Sequence, residues 1–159
     1  MFTVYLFKGR KPFRFDRSEY QNQSSVEKLI GYTRDDEGLL GRALAGALEG
    51  TLLFDEIEKA HPLVLDLLLQ ILDDASITLA TGKRKHVSSF YIVCTSIIGS
   101  SEVMRMTSAP IATVERTVLS HVGQQLRPEL VGRITEEIVF GGSCSIPNVK
   151  SASCEFLPS

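Results

Sequence analysis

Apolar residues follow two rhythms along this chain: short continuous runs, and stripes at helical spacing. Thr51 to Phe54 and Phe90 to Cys94 are near-continuous apolar runs that end at a polar switch. Such runs suit strands buried on both faces of a parallel sheet. Phe13 to Asp16, where Phe13 and Phe15 flank Arg14, is a third strand candidate, and Glu136 to Phe140 a fourth. Helical patterns fall between them. Ser24-Ser25-Val26-Glu27 has capping-box spacing and predicts a short helix to Ile30. Gly38 to Leu48 carries one apolar stripe through Leu40, Ala43, Leu44 and Ala47. Pro62 suits a first helical turn, and the leucine-rich stretch to Asp73 predicts a largely buried helix. Thr113 to Gln124 places Val114, Val118, Leu119 and Val122 on one face. Between Ile77 and Val87, Thr81-Gly82 marks a turn joining two short extended arms. Strands alternating with helices predict an α/β fold with a mostly parallel sheet flanked by helices. From Gly141 onward periodicity is lost, and residues 141–159 read as a disordered tail.

Composition narrows the classes. The 159 residues are one domain's worth of chain, 43% hydrophobic and 23% charged, with a formal net charge of -2. That balance argues against nucleic acid as a partner. No apolar run approaches the roughly 20 residues of a membrane span. The basic residues of the N-terminal segment follow its apolar stretch, the reverse of a signal peptide, so a cytoplasmic location is expected (or an organelle matrix, given an upstream targeting segment). Cys94, Cys144 and Cys154 match no zinc or disulfide spacing, and His61, His86 and His121 are scattered. No metal site built from protein side chains alone is expected.

Chemistry concentrates in Thr51-Leu52-Leu53-Phe54-Asp55-Glu56, where an apolar strand delivers two consecutive carboxylates at its carboxyl end. Ligands bind at that end of open α/β sheets. One carboxylate there can hold Mg2+, and the second can orient an attacking water. The alternative is that both acids cap the following helix.

The surrounding residues resemble a known family. Leu52 to Asp74, LLFDEIEKAHPLVLDLLLQILDD, is similar to the Walker B segment and following helix of Clp-type AAA+ unfoldases and disaggregases, of the second-ring type. The likeness continues through Thr78, Gly82, Val87 and VCTSIIGS, Val93 to Ser100. Upstream, Phe13 to Gly31 resembles the second strand and the helix leading to the axial pore loop; downstream, Leu126 to Phe140 resembles the arginine-finger stretch. The resemblance implies residues 1–140 as a partial AAA+ large subdomain, with ATP and Mg2+ as cofactors. It also implies related AAA+ subunits in a ring and a polypeptide substrate as partners. It assigns Asp55 to the Mg2+ site, Glu56 to water activation, Arg133 to the finger, and Thr95 and Ser96 to the nucleotide side. Tyr32 matches the aromatic pore loop and Lys83, in Lys83-Arg84-Lys85-His86, the second pore-facing hairpin. For Arg133, Tyr32 and Lys83 the plain alternatives are a surface arginine, a loop tyrosine and a solvated turn.

Three departures accompany the match. No G-x-x-x-x-G-K-[ST] occurs anywhere in the 159 residues, so the backbone nest and lysine that cradle a triphosphate are missing. Met1 is expected to fall partway along the helix after that loop, and the likeness stops at Phe140, before the helical lid. Ile97 stands where the family has a polar residue that orients water. The expected function is an unfoldase-lineage module with little ATPase activity of its own; the alternative is a non-enzymatic subunit docking into a related ring.

Overall fold

The computed structural model describes residues 11–139. Strands β1 (Phe13–Phe15), β2 (Gly50–Phe54) and β5 (Phe90–Cys94) form a parallel sheet in the order β1-β2-β5. Phe15 pairs with Phe54 in register, and Phe54 with Cys94, so all three carboxyl ends finish at one level. Parallel neighbours need crossover connections. The first is made by helices α1 (Arg17–Tyr20), α2 (Ser25–Ile30) and α3 (Gly38–Ala45), the second by α4 (Pro62–Asp74) and the antiparallel pair β3 (Ser76–Thr78) and β4 (Arg84–His86). After β5 come α5 (Ser100–Arg105), α6 (Ile111–Gln125) and α7 (Pro128–Val131).

The core follows from the apolar runs. Leu52 and Phe54 of β2 are buried, with Leu40 and Leu44 of α3 and Val64, Leu68 and Ile71 of α4 in the same cluster. Phe15 stacks on Phe54 with ring centroids 5.1 Å apart, and Tyr20 leans on Phe54 at 6.3 Å. Helix α4 starts at Pro62, and the His61 side chain accepts the Leu63 N–H at 3.3 Å, satisfying one of the donors a helix start leaves open.

Two expected features are absent. Residues 136–139 are not a strand; Phe140 lies outside the described residues. A parallel strand exists only beside another strand, and among the described residues the sheet has none beyond β5. The Ser24 capping box is not made either. Ser24 already has helical dihedrals, and Ser25 takes the local role by accepting the Asn22 N–H at 3.0 Å. Helix α3 stops at Ala45 rather than Leu48. The segments 1–10 and 140–159, including the expected tail, lie outside the described residues. Among the described residues no helix is long and apolar enough to cross a membrane.

Leu68 is 1% exposed at the middle of α4. Leu68→Ala should cost about 2–5 kcal/mol of unfolding free energy, read as a lower urea midpoint with the slope unchanged.

Candidate functional site

Asp55 and Glu56 leave β2 where the chain turns into a single 3-10 turn, Ile57–Lys59. The exit is built by backbone pairing on both sides. Asp55 N–H donates to Phe15 C=O of β1 at 3.1 Å, while Ile57 N–H donates to Thr95 C=O, just past β5, at 3.0 Å. Thr95 completes the bracket through its side chain: its hydroxyl donates to Asp55 Oδ1 and accepts the Glu56 N–H, the latter at 3.1 Å. Glu56 adopts left-handed dihedrals (φ 54, ψ 54). A residue with a Cβ rarely adopts that conformation and keeps it only where surrounding bonds over-determine it. Thr95 supplies those bonds.

The pattern of hydrophobic positions gave no sign of what else touches these acids. Arg14 Nη2 lies 2.5 Å from Asp55 Oδ2 and its Nε 2.8 Å from Asp16 Oδ1. Arg17 Nη1 is 3.6 Å from Glu56 Oε2. Asp16, and then Asp55, hold the Arg14 guanidinium pKa above its ordinary value. Beneath them Tyr20 is fully buried, and burial followed by the field of Asp55 pushes its hydroxyl well upward. Arg14 was detectable as the one polar residue between Phe13 and Phe15; its partner follows only from the β1–β2 register.

Ser96 and Ile97 sit apart from the carboxylates. Ser96 Oγ accepts the Ile98 N–H at 3.1 Å, and Ile97 is 54% exposed with only a long contact, 3.5 Å, from its N–H to Glu58 Oε1. Beyond the end of β5 lies a groove of about 360 Å3, lined by Cys94, Ile98, Val103, Val118 and Val122 among others, with Glu136 and Glu137 at its polar side and no Lys or Arg. Burial pushes the Cys94 thiol up to about 12, so it stays neutral and unreactive at neutral pH.

Tyr32 and Lys83 come together on another face. Gly31 turns the chain at φ 106, where an added Cβ would lie 1.9 Å from Asp36 C=O. Asp36 then accepts the N–H groups of Tyr32 (3.1 Å) and Gly38 (3.0 Å), leaving the Tyr32 side chain 59% exposed. These two bonds hold the Asp36 carboxyl below its usual range. The β3–β4 hairpin docks on this loop: Ala80 N–H donates to Ile30 C=O at 2.9 Å, and Lys83 Nζ pairs with Glu37 at 3.0 Å.

Arg133 joins neither cluster. It follows α7 and grips Asp73 near the carboxyl end of α4 with Nε and Nη2, the second bond 2.7 Å long, while Nη1 donates to Glu129 C=O at 2.7 Å. Arg127 pairs likewise with Asp66, seven residues earlier on the same helix face.

Residues 2–137 match the family model described as an AAA domain of the Cdc48 subfamily. The chain belongs to that family, as a Clp-type AAA+ module. Among its relatives, Heat shock protein 100 of Trypanosoma brucei brucei is 39% identical over 134 residues, covering 80% of this chain and 15% of the relative. Chaperone protein ClpB of Mycoplasmoides gallisepticum is 38% identical over 141 residues, covering 85% and 19%. The chain therefore spans less than a fifth of the length of these relatives. Among solved structures, the S. cerevisiae Hsp104:casein complex in its extended conformation superposes with a TM-score of 0.76 at 34% identity, covering 87% of this chain and 25% of that one. The S. cerevisiae Hsp104-ADP complex gives 0.77 at 34% identity, covering 88% and 26%.

AAA membership implies Mg-ATP, and no phosphate cradle for it is found among the described residues. A triphosphate needs convergent N–H groups and a cation. The sequence holds no G-x-x-x-x-G-K-[ST], and the groove beyond β5 is lined mostly by apolar side chains, with Glu136 and Glu137 and no Lys or Arg.

The Asp73 carboxyl is held below its ordinary value chiefly by the Arg133 hydrogen bond. A depressed carboxyl stabilises above its unfolded pKa and loses that contribution as pH falls through the folded value. Unfolding midpoints measured from pH 6 down to about 3 should therefore fall less steeply for Asp73→Asn than for the wild type.

Proposed function

We propose that this chain is a module of the protein-unfolding Hsp100 lineage that neither binds nor hydrolyses ATP appreciably by itself. The observation that supports this reading is the Asp55–Thr95–Glu56 bracket standing beside a groove with no Lys or Arg in its lining. In the reading, Asp55 is the Mg2+-site carboxylate of the lineage, and Glu56 the water-activating residue, with Thr95 fixing both. Ser96 would lie on the nucleotide side. Ile97 replaces a donor there, a loss that elsewhere costs on the order of a hundredfold in rate. Arg133 is the finger toward a neighbouring subunit's nucleotide, and Tyr32 with Lys83 contacts polypeptide. The casein-bound state of a neighbouring structure supports a polypeptide substrate, and related AAA+ subunits in a ring are part of the same reading.

A second reading is a non-enzymatic subunit that docks into a related AAA+ ring. It is favoured by the groove beyond β5, where Ile97, Met104 and Ile138 are all more than half exposed. Apolar surface of that kind marks protein contacts. Co-purification with a full-length relative separates the two readings.

Calorimetry with Mg-ATP titrated into the folded chain, beside Glu56→Gln, is the primary test. No detectable heat from either protein is expected. Micromolar binding by the wild type would overturn the proposal.

A further inference from the structure

The Asp55 carboxylate has both oxygens engaged by its own chain. Oδ1 accepts the Thr95 hydroxyl. Oδ2 faces Arg14 Nη2 at 2.5 Å. Arg14 is anchored in turn by Asp16 at 2.8 Å, and the next acid, Glu56, has Arg17 at 3.6 Å. These five charged residues, with Ser18, line one polar recess on the β1 side of the site. We propose that Arg14 is the built-in counter-cation of Asp55, so that in this chain a divalent metal can reach Asp55 only by displacing a guanidinium.

The physical basis is competition for one oxygen. Mg2+ and Mn2+ take carboxylate oxygen with strict directional demands and, where protein supplies only one or two carboxylates, lean on substrate phosphates for the rest. Among the described residues Asp55 belongs to no group of three or more His, Cys, Asp or Glu able to hold a metal ion. Its own hold on a dication is therefore weak, and a fixed positive charge at Oδ2 opposes it further. The pair is also preset by the fold. Arg14 lies opposite Leu53 in the parallel ladder and Phe15 opposite Phe54, so Arg14 stands one residue short of the level from which Asp55 leaves. A neutral side chain at position 14 would leave Asp55 with an uncompensated oxygen at the same place. Arg14 plays this part whether or not the chain works in a ring, so failure of the ATP experiment leaves it standing.

Mn2+ alone is the probe, titrated into the whole 159-residue chain, with paramagnetic broadening of the Glu56 and Thr95 amide signals as the readout. R14Q should bind Mn2+ about tenfold more tightly than the wild type, R14K should match the wild type, and R14Q/D55N should lose the gain. Equal broadening in the wild type and R14Q, removed by D55N, would overturn the proposal, as would a folded R14Q with no gain. Should R14Q fail to fold, R14M takes its place with the same expected gain, and a folded R14M with no gain would overturn the proposal.

Discussion

Everything at the carboxylate end depends on β2 being held from both sides in register. Its neighbours do different work. The ladder to β1 delivers Phe15 C=O to the Asp55 N–H, and the ladder to β5 delivers Thr95 to Asp55, Glu56 and Ile57 together. A slip of one residue in either ladder would turn every side chain of the slipped strand to the opposite face. It would also remove the bonds that keep Glu56 in left-handed dihedrals. The aromatic stack of Phe15 on Phe54 lies directly beneath this exit, so packing and hydrogen bonding enforce the same register.

How far these features can be read from residues alone depends on whether they are local. β2 and α4 are legible because a buried face leaves a dense apolar signature within a few residues, whereas β5 carries such a run although each of its residues stays partly exposed. The Asp55–Glu56 pair is legible for the same reason, being the first polar break after such a run. Apolar character reports burial, not who the neighbour is, and the stretch at 136–139 shows the difference. It carries Ile138 and Val139 and, among the described residues, has no strand to join. Ser24 and Ser25 illustrate a finer limit, since both can cap and only the local backbone decides which one does.

The long-range charge pairs were the least legible. Arg14 meets Asp55 across 41 positions of sequence and Arg133 meets Asp73 across 60. No periodicity links such residues; they meet because strand register or helix packing carries them together. The family likeness singled out Arg133 but gave no indication that its guanidinium is paired with Asp73. Exposed pairs of this kind add little stability, so their interest lies in which groups they occupy.

The two arginines that clasp α4 two turns apart have a mechanical consequence. Helix α4 begins just after the carboxylates and runs about 20 Å at 1.5 Å per residue, with Arg127 and Arg133 fastened to Asp66 and Asp73 on one side. The segment from 127 to 133 is thus carried as a rider on a rigid strut, not hung on a hinge. The helix thereby spans the distance from the turn after Glu56 to the Asp73 that holds Arg133.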